Sequence, residues 1–359
     1  MKLRSWRYDL ALAHRWTIAS GLRPGGSGGK DSYPVVFVEL TDEHGTTGIG
    51  EAAPAERYRE TADNAAAFVE IVNLYQLSFA DPAGSMRYVR SLGPGNHAIK
   101  GAFDIALLDG AAKLAGKPLY DYLGLGFREN HHISSFSIGI DSPEVIRAKV
   151  AEAAAYPVLK LKLGSPNDRE NLRALREVAP TKPVRVDANE AWTTKEEALR
   201  QIEWLAGDGH IQFVEQPMPA ATDPRDLAWL KERSPLPLFA DESYLYAGNL
   251  PKCVDAFHGV NVKLVKTGGV STALEALRAA RNAGLKTMLG CMIESSVLIS
   301  AAAHLAELTD YLDIDGSLLT TNDPFEGVSV AGGRVSFAQA PVKVGLCVRE
   351  RTPGARGGA

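Results

Sequence analysis

Val158-Leu159-Lys160-Leu161-Lys162-Leu163-Gly164 is an apolar run that carries two lysines. Side chains alternate along a strand, so Lys160 and Lys162 point to one face and the leucines to the other. Helical patterns flank the run, which favours a buried parallel strand over the alternative, an edge strand with solvated lysines. Two neighbouring ammonium groups in an interior repel each other and resist desolvation. We therefore expect a lowered lysine pKa, which suits a general base.

Three later apolar runs each end in a carboxylate, and these acids are Asp187, Glu215 and Asp241. They lie 26 to 28 residues apart, about one strand–helix unit of a parallel array. A buried carboxylate is costly unless it is paired or binds a metal, and oxygen ligands suit a hard cation such as Mg²⁺. We therefore predict a shared Mg²⁺ site; the alternative is three unrelated acids that cap helices. A further apolar run, residues 259–265, carries Lys263.

Composition narrows the possible partners and location. The chain has 359 residues, 45% of them hydrophobic and 23% charged, with a net charge of −4. These totals give no reason to expect a nucleic-acid or membrane partner, and no apolar run approaches the roughly 20 residues of a membrane span. The N-terminus lacks a signal-peptide core. Cys253, Cys291 and Cys347 are few and far apart, which fits the reducing cytoplasm.

Two patterns divide the chain. Residues 1–125 predict a compact α+β domain, with strands at 34–41 and 46–52 and helices near 60–76 and 97–116. From residue 126 to 320, strand and helix patterns alternate and predict a closed parallel barrel. The strands are predicted near 132–139, 158–163, 184–188, 212–216, 237–241, 259–265, 286–291 and 311–315. Helices are predicted at 168–178, 194–206, 224–233 and 270–283, with none after the eighth strand.

The rival fold is an open doubly wound sheet, which would show a glycine-rich first turn that this chain lacks. Residues 321–347 are expected to return to the first domain, and 348–359 to form a disordered tail.

In a barrel, catalytic groups gather at the C-terminal ends of the strands. Lys162 and Lys263 would then face each other across the mouth, which suits removing a proton from one face of a carbon and returning one to the other.

The chain resembles the enolase superfamily, in its muconate lactonizing enzyme subgroup. The resemblance rests on the motifs Lys160-Leu161-Lys162, Asp187-Ala188-Asn189, Glu215-Gln216-Pro217, Asp241-Glu242-Ser243, Asn261-Val262-Lys263, Gly50-Glu51-Ala52-Ala53-Pro54 and Gly116-Lys117-Pro118-Leu119-Tyr120. It implies an α/β fold with a capping domain and a modified (β/α)7β barrel. It also implies Mg²⁺ on the three acids and Lys162 and Lys263 as the acid/base pair, with Lys160 assisting.

Substrate choice is predicted from the last two barrel strands. Asp313 and Asp315 share a face and could hold a free ammonium group; this Asp-x-Asp resembles the dipeptide epimerases of the subgroup, and the alternative is a helix or turn cap. The seventh strand also resembles that group, through Cys291, Met292 and Ser295. In the Ala-Glu epimerases a loop arginine is expected to meet the glutamate side chain. Arg23 is the candidate here, although its glycine-rich loop departs from that pattern.

The leading expectation is thus an isomerase, a dipeptide epimerase, possibly acting on L-Ala-D/L-Glu, and we expect a homo-oligomer. The alternatives are an o-succinylbenzoate synthase, an N-acylamino acid racemase or a cycloisomerase, which need no ammonium-binding pair. A non-catalytic barrel would not need the intact set of lysines and acids.

Overall fold

An antiparallel sheet opens the computed structural model, which describes residues 1–22 and 28–352. Its strands follow the order β1 (Lys2–Trp16), β2 (Lys30–Thr41) and β3 (Thr47–Ala52). In the hairpin between β2 and β3, the Asp42 carboxylate accepts hydrogen bonds from the amides of His44 and Thr46 at 2.9 and 2.8 Å. Gly45 supplies the left-handed backbone that the turn requires, with φ of 84°.

Five helices accompany this sheet: α1 (Ala19–Leu22), α2 (Ala62–Glu70), α3 (Pro82–Ser91), α4 (His97–Leu114) and α5 (Leu119–Tyr122). Almost every residue of α4 is buried, and α4 lies directly against β3. Gly50 permits this approach, because a Cβ there would collide with the carbonyl oxygen of Ala102. The helix predicted over 60–76 ends at Glu70, and a short 3₁₀ turn, Leu74–Gln76, follows.

Eight parallel strands form the second sheet, in sequence order. They are β4 (Phe136–Ile138), β5 (Leu159–Lys162), β6 (Val184–Asp187), β7 (Ile211–Glu215), β8 (Leu238–Ala240), β9 (Gly259–Val262), β10 (Lys286–Gly290) and β11 (Tyr311–Asp313). Ser134 forms a parallel bridge with Leu312, and the Ser135 amide donates to the Leu312 carbonyl at 3.1 Å. These contacts join the first strand to the last, so the predicted closed barrel is confirmed and the open sheet is excluded.

The barrel helices lie between successive strands. They are α6 (Pro143–Glu152), α7 (Asp168–Val178), α8 (Lys195–Ala206), α9 (Pro224–Arg233), α10 (Leu250–Val254), α11 (Leu264–Thr267), α12 (Val270–Asn282) and α13 (Ser296–Ala303). Side-chain oxygens of Ser142, Thr194 and Asp223 cap α6, α8 and α9. A short 3₁₀ turn, Gly316–Leu319, follows β11 in place of an eighth helix. Seven connections therefore link eight strands, as in a (β/α)7β barrel. Within the described part of the chain, no helix is both long and apolar enough to cross a membrane.

The last part of the chain lies against the first. The fully buried Asp109 of α4 accepts a hydrogen bond from the Leu346 amide at 2.7 Å. A disordered tail was expected from residue 348, and this is wrong at the start of the tail. There β13 (Arg349–Glu350) pairs with β12 (Phe325–Glu326). Backbone pairing there outweighs the polar composition that predicted disorder from residue 348. The rest of that prediction, residues 353–359, lies outside the described residues, and the domain boundaries stay a prediction.

Candidate active site

Strand β5 places both lysines of the opening motif inside the barrel. Lys160 and Lys162 are 1% and 8% exposed, and β5 pairs with β4 on one side and β6 on the other. The edge-strand alternative is thereby excluded. In this register Lys162 lies opposite Asp187, the last residue of β6.

The three predicted acids meet at the C-terminal ends of neighbouring strands. Asp187 and Glu215 are paired residues of β6 and β7, and Asp241 directly follows β8. One carboxylate oxygen from each lies within 4.8 Å of the others, and all three side chains are buried. Burial and the neighbouring Asp187 charge raise the pKa of Glu215 to about 7. Three crowded oxygens of this kind fit a hard divalent cation such as Mg²⁺, which would relieve their repulsion.

Three lysine ammonium groups surround this acidic triad of Asp187, Glu215 and Asp241. Lys162 Nζ lies 2.7 Å from Asp187 Oδ2, and Lys263 Nζ lies 2.8 Å from Asp241 Oδ2. Lys160 Nζ contacts three carboxylates, at distances of 2.7 Å to Glu215 Oε2, 2.7 Å to Asp313 Oδ2 and 3.1 Å to Asp187 Oδ2. Lys162 and Lys263 therefore approach the triad through different acids.

The lysine electrostatics differ from the expectation drawn from the Lys-x-Lys motif. Burial alone would lower the pKa of Lys160, but Asp313, Glu215 and Asp187 outweigh it, and the pKa lies well above its ordinary value. Burial likewise disfavours the Lys263 ammonium, yet chiefly Asp241 holds its pKa well above the ordinary value. The expected lowering is wrong for Lys160, because three carboxylates contact its ammonium group.

Two further residues donate hydrogen bonds to carboxylates of the triad, and the sequence analysis predicted neither role. Lys266, fully buried, donates to Asp241 Oδ1 at 2.6 Å and to the carbonyl oxygens of Asp241 and Asn261 at 2.7 and 2.9 Å. The side-chain Nδ2 of Asn261 donates to Glu215 Oε1 at 2.7 Å. A lysine inside the apolar stretch Leu264-Val265-Lys266 was the available signal.

Strained backbone follows two of the acids. Asn189, Glu190 and Gln216 have φ values of 44°, 64° and 37°, a region that non-glycine residues rarely adopt. The Gln216 side chain holds the loop after β8, because its Oε1 accepts from the amides of Asp241 and Ser243 at 2.9 and 3.1 Å. The strained residue Gln216 thus helps to position Asp241, a residue of the triad.

Asp313 and Asp315 have different surroundings. Asp313 is paired with Lys160 and accepts a hydrogen bond from Ser135 Oγ at 2.7 Å. Asp315 accepts from the Ser137 amide at 2.6 Å, and among residues 1–22 and 28–352 no cation lies within ion-pair distance of it. Burial, then the Asp313 charge, raise the pKa of Asp315 to about 7. Of this pair, Asp315 is therefore the carboxylate that has no ion-pair partner among the described residues.

A cavity of about 650 Å³ lies over the triad and is lined by all three lysines, both of these aspartates, Cys291 and Met292. This size suits a small-molecule ligand. Ser295 is absent from the described lining; its hydroxyl and amide donate to the buried carboxylate of Glu51 in β3. Direct contact of Ser295 with substrate is therefore not supported, because its polar groups are already used. Arg23 lies outside the described residues.

The opposite wall comes from the N-terminal part of the chain, from which the sequence analysis named only Arg23 as a substrate-binding residue. Trp16, Tyr33 and Tyr58 line the cavity there. Arg57 reaches the barrel through a two-pronged pair with Glu190, at 3.0 and 2.8 Å. Burial, then Asp241, raise the pKa of the Tyr58 phenol, which stays neutral. These residues reach the cavity through tertiary packing, which leaves no local pattern in the sequence.

Comparison with known proteins places this geometry in a family. Residues 145–348 match the family described as enolase C-terminal domain-like. An L-Ala-D/L-amino acid epimerase from Pedosphaera parvula is 61% identical over 351 residues, 98% of this chain and 100% of that protein. An L-Ala-D/L-Glu epimerase from Bacteroides thetaiotaomicron is 40% identical over 95% of this chain and 86% of its own. The structure of a dipeptide epimerase from Cytophaga hutchinsonii, in complex with Mg and the dipeptide D-Ala-L-Val, has a TM-score of 0.88 at 26% identity and covers 98% of this chain and 96% of that one. The chain therefore belongs to the enolase C-terminal domain-like family.

Proposed function

We propose that this chain is a Mg²⁺-dependent dipeptide epimerase, an isomerase that moves a proton at the α-carbon of the C-terminal residue of a dipeptide. One observation carries the proposal. Lys162 and Lys263 contact different acids of one metal-binding triad, at 2.7 and 2.8 Å, in the floor of a cavity of small-molecule size.

Asp187, Glu215 and Asp241 would hold the cation, which supplies positive charge next to the substrate carboxylate. Lys160 adds a second positive charge at the same floor and opposes the negative charge that develops as the α-proton leaves. The Mg-bound structure from Cytophaga hutchinsonii supports this assignment.

The two lysines on either side of the α-carbon would exchange its proton. In one direction Lys162 takes the α-proton as a general base, and Lys263 gives a proton to the opposite face. The reverse direction exchanges the two roles, and the substrate gains one proton for each that it loses. In that direction the Lys263 ammonium, which lies 2.8 Å from Asp241 Oδ2, would be the proton donor.

The dipeptide's free ammonium would bind at Asp315, with Asp313 beside it. Asp313 already neutralises Lys160, whereas the charge of Asp315 is unmet among the described residues. The relatives from Pedosphaera parvula and Bacteroides thetaiotaomicron are named for dipeptide-type substrates, which supports a free amino terminus. Cys291 and Met292 would contact the peptide, because both line the same cavity.

Three finer assignments remain proposals. A cytoplasmic location is supported by the three free cysteines, Cys253, Cys291 and Cys347. A homo-oligomer is supported by exposed apolar side chains such as Ile71 and Tyr75, and light scattering would measure it. The contact of Arg23 with a glutamate side chain rests on resemblance alone.

The test compares a free dipeptide with its N-acetylated form in D₂O with Mg²⁺, read by deuterium incorporation and by chiral separation. We expect inversion of the C-terminal α-carbon and far higher kcat/KM for the free dipeptide. Equal values would favour an N-acylamino acid racemase. No exchange with either form, together with elimination from a succinylbenzoate precursor, would favour the lyase alternative.

A further inference from the structure

We infer that the cavity accepts a neutral, apolar or aromatic side chain on the C-terminal residue of the dipeptide, rather than an acidic or basic one. The inference rests on the proposed function and deepens it. It follows from the direction in which that side chain must leave the α-carbon and from the chemistry of the wall it then meets.

Stereochemistry sets the direction. The α-carbon becomes planar when its proton leaves, with Lys162 and Lys263 above and below the plane. Three substituents of the α-carbon lie in this plane. The carboxylate is directed toward the triad, and the amide nitrogen is directed toward Asp315. The side chain therefore takes the third direction, out of the barrel and toward the wall formed by the N-terminal part of the chain.

The cations that the described residues place on this wall are already paired. Within residues 1–22 and 28–352, three cations line it, and each contacts an acid at ion-pair distance. The pairs are Arg7 with Asp63 at 3.0 Å, Lys30 with Glu56 at 3.4 Å and Arg57 with Glu190 at 2.8 Å. The remaining acid of the wall, Glu60, accepts hydrogen bonds from the amides of His97 and Ala98. A charged substrate side chain would have to displace an existing partner at each of these groups.

Apolar surface fills the space between these pairs. Trp16, Ile18 and Tyr33 line the cavity from the same wall. Trp16 reaches the barrel mouth, because a Cβ on Gly139, just after β4, would lie 3.3 Å from its ring. Tyr33 stays a neutral phenol, since burial, then Glu56, raise its pKa to about 12. Ile293 and Leu319 extend the apolar lining from the barrel side.

The competing view is that Arg23 binds a glutamate side chain. The two views predict different ratios of kcat/KM between dipeptides with apolar and charged C-terminal side chains. The experiment measures kcat/KM for L-Ala-L-Phe, L-Ala-L-Leu, L-Ala-L-Glu and L-Ala-L-Lys by α-proton exchange in D₂O with Mg²⁺. We expect the Phe and Leu dipeptides to exceed the Glu and Lys dipeptides by at least roughly tenfold. A wild-type preference for L-Ala-L-Glu that Arg23→Ala removes would overturn the inference and leave the epimerase function standing.

A variant tests the wall itself. Trp16→Ala should lower kcat/KM for L-Ala-L-Phe by roughly tenfold more than for L-Ala-L-Ala, whose side chain is too short to use the ring. Trp204→Ala on α8 is the matched control, because Trp204 packs against Arg169 outside the cavity and should leave that ratio unchanged. Equal losses for both dipeptides in Trp16→Ala would contradict the assignment. Exchange with none of the four dipeptides would instead refute the epimerase proposal.

Discussion

Replacing Glu51 by Gln tests how the N-terminal sheet is joined to the barrel. Glu51 in β3 is fully buried, and its carboxyl group accepts from the Ser295 amide at 2.9 Å, the Leu298 amide at 3.2 Å and the Ser295 hydroxyl. These donors lie at the N-cap residue, Ser295, and in the first turn of α13, directly after the loop that carries Met292. Despite them, burial raises the pKa of Glu51 to about 8 from an ordinary 4.5.

The sign of the effect follows from proton linkage. The folded state binds the Glu51 proton more tightly than the unfolded state, so this group stabilises the fold below about pH 4.5. That contribution is lost as pH rises toward about 8, and it amounts to at most about 5 kcal/mol. Glutamine does not titrate, and the free energy of unfolding of Glu51→Gln should fall less over this range.

At pH 5 the variant should be less stable than the wild type by about 1–3 kcal/mol, because its NH₂ group cannot accept from the Leu298 amide. By pH 8 the difference should shrink or reverse. Urea unfolding from pH 5 to 8 measures both slopes, and Glu43→Gln is the control because the Glu43 side chain is 87% exposed. Identical pH slopes for the wild type and Glu51→Gln would refute the reasoning.

Three further substitutions address the site. Asp241→Asn should weaken Mg²⁺ binding by more than about 100-fold in calorimetry, since it removes a triad charge, and full activity in excess chelator would rule out the metal mechanism. Lys263→Ala should abolish epimerisation while exchange with D₂O continues for one stereoisomer; a normal epimerisation rate would exclude Lys263 as an acid/base group. Asp315→Asn should raise KM for free dipeptides by at least tenfold and leave Mg²⁺ affinity unchanged, and an unaltered KM would remove Asp315 from the ammonium site.

The barrel and the triad were predictable because each rests on local periodicity. The alternating pattern around Lys160 predicted a buried strand, and acids at intervals of 26 to 28 residues predicted a shared cation site. In contrast, β1 carries polar residues such as Arg4, Arg7 and His14 on a partly exposed sheet, and its pattern does not separate it from a loop.

The sequence does not reveal which groups far apart in the chain come into contact. The contact between Lys160 and Asp313 spans 153 residues, and it reverses the pKa shift expected from the lysine pair alone. The role of Ser295 was missed for the same reason, because its partner Glu51 lies 244 residues away. Residues such as Tyr58 and Arg57 reach the cavity only once the two parts of the chain have packed together.

The hydrogen bond between Asp109 and Leu346 has a consequence for synthesis. The carboxylate of Asp109 also accepts from the Ile49 amide at 2.9 Å and from Lys113 at 2.7 Å, so it ties β3 and α4 to the last part of the chain. On the ribosome, Ile49 and Asp109 emerge long before Leu346, and every barrel strand is made in the interval. The N-terminal unit can therefore complete its interior only after the barrel has been translated. A chain that stops short of Leu346 leaves one oxygen of a buried carboxylate without this donor.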